Sequence, residues 1–237
     1  MMRPAPPRAR RRRRALLAAA LVAVAAGPAA AHHVGAFVPR DNEVSANFKQ
    51  IKFSIQARKF DVALRLFEAG AVRAEMRAQA ARLPAGVEEA TRAALVAGDG
   101  PRAERGLVVF FAGLIRDLAL DADRRLAAAA EPAPARAAAG QKFLDAIWRY
   151  YNLVDFAISQ HDPKAAVAVR LAFDEAEGHA KGSPAAADGN VAPESGRVTA
   201  RRAAAPNPDK MREPLQRMAR ILSGLIETST TAMRRDS

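Results

Sequence analysis

Leu107-Val108-Val109-Phe110-Phe111-Ala112-Gly113-Leu114-Ile115-Arg116-Asp117-Leu118-Ala119-Leu120-Asp121-Ala122 carries the strongest apolar face in the chain. Leu107, Val108, Phe110, Phe111, Leu114, Ile115, Leu118 and Ala122 recur at the three- and four-residue intervals of a helix. A stripe this broad has to meet several neighbours at once, so the stretch belongs at the centre of a helical bundle. Gly98-Asp99-Gly100-Pro101 closes the segment before it and opens this one, because proline costs nothing in a first helical turn.

Working outward, the same period continues in both directions. Toward the amino end, Val87–Ala97 reads as a short helix. Val44, Phe48, Ile51 and Ile55 make a first stripe that Asp41 or Asn42 can cap, and Phe60, Leu64 and Phe67 begin a second. Residues 43–82 read as one long helix or two, with Gly70 as a candidate break, and Pro84-Ala85-Gly86 ends that region. Toward the carboxyl end, Pro132 and Pro134 precede a helix with Phe143, Leu144, Ile147, Tyr150, Tyr151, Val154 and Ile158. Asp162-Pro163 then restarts a helix whose apolar residues include Val167 and Leu171, with acids at Asp174, Glu175 and Glu177.

Residues 182–208 are rich in Gly, Pro, Ala and Ser and lack apolar periodicity, the composition of a disordered linker. Beyond it, Met211, Leu215, Met218, Leu222 and Leu225 form one sharp seam on an amphipathic helix over 209–229, followed by a tail at 230–237. A lone helix of this length is marginal in water, so its seam must dock on the bundle or on a partner, either another protein or a second copy. The fold expected is therefore all-α. It is an antiparallel bundle of helix hairpins over 32–181, with the C-terminal amphipathic helix joined by the linker. The hairpin turns are unevenly spaced and define no repeat family.

Residues 1–31 set the compartment. Arg10–Arg14, the apolar run from Ala15 to Ala26 and Ala29-Ala30-Ala31 have the three parts of a cleavable export signal, and the run is too short to span a membrane. Arg13-Arg14-Ala15-Leu16-Leu17 resembles a twin-arginine signal, although five arginines in a row generate such a match by chance. The expected location is periplasmic or extracellular, and the protein is not expected to be integral to a membrane.

Composition narrows the chemistry. The formal charge is +12, but seven arginines lie in residues 1–31, which leaves 30 basic against 25 acidic residues beyond them. That is an ordinary charged surface. With 5% aromatic residues and no basic-aromatic interleaving, nucleic-acid binding has no support. The absence of cysteine excludes disulfides, thiolate metal sites and cysteine nucleophiles. Neither H-E-x-x-H nor G-x-S-x-G occurs, nor any phosphate-binding or dinucleotide fingerprint, so no enzyme class is indicated. Asp117, Asp121 and Asp123 lie among Arg116, Arg124 and Arg125 as a solvated ion-pair face.

One chemical lead remains at the junction. Cleavage after Ala31 makes His32 a terminal amine-imidazole chelate. Cleavage after Ala30 places His33 third, where ring, amides and amine complete a square-planar set for Cu(II). Glu175 and His179, four apart on one helix, can share a metal or simply form an exposed pair. His161 reads as a solvated turn residue. Trp148, Tyr150 and Tyr151 near Asn152 and Asp155 can line a pocket or pack between helices. Two functions from different classes follow. One is a non-catalytic binding or adapter protein acting through the terminal seam; the other is a metal-handling protein that captures copper at His32 and His33.

Overall fold

The computed structural model describes residues 40–182 and 205–235, all in helices or the turns that join them. Eight helices follow one another: α1 Glu43–Gln56, α2 Phe60–Glu68, α3 Ala71–Ala78, α4 Val87–Ala97, α5 Gly100–Leu126, α6 Ala133–His161, α7 Pro163–Lys181 and α8 Pro208–Arg235. Most of the linker read over 182–208 and the whole junction at 29–33 lie outside the described residues. Among the described residues no helix is long and apolar enough to cross a membrane.

The boundaries are set by local chemistry. Asn42 starts α1 with a reciprocal capping box: its side chain accepts from the Ser45 amide while Ser45 Oγ accepts from the Asn42 amide, both at 2.9 Å. Asp99 and Asp162 cap α5 and α7 by accepting from the Arg102 and Ala165 amides at 3.0 and 2.9 Å. Gly98 and Gly182 end α4 and α7 in the left-handed region, with φ of 71° and 73°. Residues 43–78 form three helices instead of one or two, broken at 57–59 and again at Gly70, where Asn47 of α1 stabilises the second break. Asn47 Nδ2 donates to the Leu66 carbonyl at 3.0 Å and Oδ1 accepts from the Val72 amide at 3.0 Å, so one side chain serves the end of α2 and the start of α3.

Helices α5 to α8 form a closed up-down-up-down bundle in which each packs on the next and α8 returns to α5. The direction of α8 is fixed by its partners. Arg136 at the start of α6 donates to the Leu126 carbonyl at the end of α5 and to Asp209 in the first turn of α8, both at 2.7 Å. Asp123 of α5 accepts from Arg212 at 2.7 Å and from Gln216 at 3.0 Å. At the same end, the Asn207 amide donates to the His179 carbonyl at 2.9 Å, which sets α8 antiparallel to α7 as well. Asp123 is therefore a tie between helices and not part of a solvated face; Arg116–Asp117 and Arg124–Asp121 remain pairs within α5.

Helix α5 is the centre, as its stripe requires. All residues from Gly106 to Ile115 are buried, because α8 and α6 cover one side and α1 and α4 the other. The rings of Phe48, Phe110 and Phe111 meet edge-on at 4.7 and 4.9 Å, which joins the α1–α4 group to the bundle. Close approach is built in at Gly140 of α6, where an added Cβ would lie 2.6 Å from Met211 Cε and 3.1 Å from Leu126 Cδ2.

Two readings of faces and ends change. Val167 and Leu171 of α7 point to solvent, 53% and 62% exposed, while Ala165, Ala166, Val169, Ala172, Phe173 and Ala176 are buried. Small side chains let α7 lie close to α6 and α8, and the larger aliphatic residues are left outside. The tail expected at 230–237 is helical through Arg235. Thr228, Thr230 and Thr231 turn their hydroxyls onto the carbonyls of Gly224, Ile226 and Glu227, and Met233, 5% exposed, extends the seam by two turns.

Candidate functional site

The seam residues Met211, Leu215, Met218 and Leu222 are 0% exposed and Leu225 is 8% exposed. Of the two docks open to this helix, it occupies the one on the bundle. These five side chains are core, and a partner meets them only if α8 leaves its seat.

The aromatic cluster is also core. Tyr151 is buried and its hydroxyl donates to the Ala166 carbonyl at 2.9 Å. Burial, with the Asp155 carboxylate nearby, pushes the phenol far above its ordinary range, so it stays protonated and serves as a donor. Trp148 stacks on Phe173 with centroids 4.7 Å apart, and Tyr150 accepts from Asn42 Nδ2 at 2.8 Å. The Tyr151 hydroxyl is thereby spent inside the core, and the three rings pack between helices.

The proposed metal pair divides between partners. Glu175 is bound by Arg217 of α8, while His179 sits one turn on, half-buried. Among the described residues no group of three or more His, Asp or Glu is arranged to hold a metal. His161 is exposed and lies on the rim of a recess of about 400 Å³ between α5, α6 and α8, beside Arg105, Ile158 and Thr228. A shallow groove of about 590 Å³ between α5 and α8 is lined by Leu120, Asp123, Gln216, Arg220 and Glu227. Asp123 is already engaged there by Arg212 and Gln216.

What the residue pattern did not flag is an exposed apolar face. Phe53, Phe156, Val167 and Leu171 are 71%, 69%, 53% and 62% exposed, and only Val96 and Leu120 join them as exposed large apolar side chains among the described residues. The geometry puts the four together. Asp155 of α6 pairs with Arg170 of α7, which sets the level of the two helices. One residue further, about 100° round each helix, come Phe156 and Leu171. Because the helices are antiparallel, both rotations lead to the same side of the hairpin, and Val167, one turn before Leu171, shares it. On the other flank of α6, Lys52 of α1 donates to the Leu153 carbonyl at 3.3 Å, and Phe53 follows it on the solvent side. The strip of α6 between these two contacts, Asn152, Phe156 and Gln160, is exposed. A signal for this face exists in the sequence: each phenylalanine has polar residues one turn away, Lys49, Gln50 and Gln56 around Phe53, and Asn152, Ser159 and Gln160 around Phe156.

Compared with known proteins, the chain matches no family model, no curated protein and no solved structure.

Proposed function

We propose that this chain is an exported, non-catalytic helical-bundle protein that works by binding, as an adapter, through its outer surface. The observation that supports this reading is the α1–α6–α7 face, where four large apolar side chains stand in solvent although the bundle buries its other stripes. Exposed apolar area of this kind marks interaction sites on soluble domains. The terminal seam, which the sequence offered as the binding element, contributes by closing the bundle. The test is to compare, under non-denaturing conditions, the size of the complex recovered from the exported fraction for the natural chain and for Phe53→Ser/Phe156→Ser. Loss of association with an unchanged melting temperature is expected. Association indifferent to both substitutions would sink the reading.

Copper capture by His32 and His33 is a separate proposal that rests on the sequence at the junction. Bound copper should disappear when both are replaced by alanine; retained stoichiometric copper would dismiss this site.

A further inference from the structure

We infer that the α1–α6–α7 face is a seat for the surface of an anionic lipid bilayer; this deepens the binding reading above and rests on it. Three features separate a bilayer from a protein partner.

The first is shape. Phe53 and Phe156 project from the face, each more than two-thirds exposed. The recess beneath this region, between Phe48, Lys52, Leu107, Leu153, Val154 and Ala157, holds only about 10 Å³. That is about one water, so this recess cannot receive a partner's side chain or helix. Projecting rings insert into something soft, as apolar side chains do at the headgroup boundary of a bilayer.

The second is charge. Lys52 reaches the Leu153 carbonyl between α1 and α6, and among the described residues its ammonium carries no ion-pair partner. Lys164 lies two turns before Leu171 on the same side of α7 and is exposed; Arg149, two turns before Phe156 on α6, is half-buried, and its charge also acts on Asp41. Among the described residues neither forms an ion pair. Of the acids nearby, Asp155 is held by Arg170, Glu104 lines the recess that Lys52 also lines, and Asp174 is exposed three residues after Leu171. Cations unspent on internal pairs, placed around inserted rings, are the complement of an anionic headgroup layer.

The third is order. Helices α1, α6 and α7 are held side by side by the Asn42–Tyr150, Lys52–Leu153, Tyr151–Ala166 and Asp155–Arg170 contacts. The face is therefore presented ready-made, and binding orders no chain.

The experiment is co-flotation of the chain beginning at His32 with vesicles of phosphatidylcholine, alone or mixed with phosphatidylglycerol. Residues from Pro39 onward form a compact unit of their own, and this chain omits Arg10–Arg14, which would bind the vesicles by themselves. Partitioning onto the mixed vesicles should exceed that onto neutral ones and weaken as salt rises. Each of Phe53→Ser and Phe156→Ser should reduce it about tenfold. Lys52→Glu/Lys164→Glu should abolish the preference for anionic lipid, with circular dichroism unchanged in every variant. No flotation, or flotation untouched by the phenylalanine substitutions, overturns the lipid assignment. If the protein instead forms a dimer, or a complex with another protein, that the same substitutions dissolve, the lipid assignment fails while the binding reading stands. If the substitutions alter no association of any kind, both fail.

Discussion

The α8 seam and the α1–α6–α7 face are both apolar surfaces on helices, and they have opposite fates. Met211, Leu215, Met218 and Leu222 repeat at near-perfect heptad spacing and are buried to the last atom against α5 and α7. Phe53, Phe156, Val167 and Leu171 follow no single period, come from three helices and stay in water. Regular amphipathicity signals that a helix needs a seat, and a bundle that lies next to it in the same chain supplies one. The large apolar residues left outside this closure are scattered in sequence and gathered in space.

The comparison breaks first if the seam is not core. Leu222→Asp should unfold the bundle outright, since an unpaired carboxylate would replace a fully buried leucine. Met218→Ala should cost about 2–5 kcal/mol by chemical denaturation, the usual range for emptying a buried site. A smaller test of how tightly α8 is seated is Gly140→Ala. The new methyl would meet Met211 and Leu126 inside contact distance, so a loss of about 1–3 kcal/mol is expected, with some relief because both neighbours are flexible ends.

A pH titration distinguishes the α1–α4 group from the seam. Burial would raise the Glu88 carboxyl, but hydrogen bonds from Arg73 and Arg77 prevail and hold it below its ordinary value of 4.5. A depressed folded value means the stabilisation is fully present above the unfolded value and is lost as pH falls through the folded one. Stability should therefore drop on acidification below about pH 4.5, and Glu88→Gln should be less stable at neutral pH with a flatter acid limb. Identical acid limbs in the two proteins would remove Glu88 from the account. At the small end, Phe156→Ser and Leu171→Ser should change stability by no more than about 0.5 kcal/mol, because neither side chain is covered. A larger loss would mean that the face is covered after all.

Much of the fold is legible because helix punctuation is local. Asn42, Asp99, Asp162, Gly98 and the prolines that follow caps act within one turn, and the α5 stripe announces its own central place. Three things are not local. The choice of alanines for the inner face of α7 depends on how near α6 and α8 come, which no spacing within α7 records. The double role of Asn47 joins positions 19 and 25 residues away. The helical tail through Arg235 depends on Met233 finding the core and on threonine hydroxyls satisfied within the helix. The exposed apolar face is the least legible of all. Its members sit on three helices, and tertiary contacts such as Asp155–Arg170 and Lys52–Leu153 bring them to one side.

The chain has no cysteine, so single thiols can report on both surfaces in one measurement. The rate of thiol modification would be followed for Phe156→Cys and Met218→Cys in the chain beginning at His32, with and without anionic vesicles. Cys at 156 should react as fast as an unfolded control in buffer and slow when vesicles are added, while Cys at 218 should stay protected in both. Equal and rapid modification at 218 would show the seam open and available to a partner, and with it the contrast between a closed seam and an exposed face would be lost.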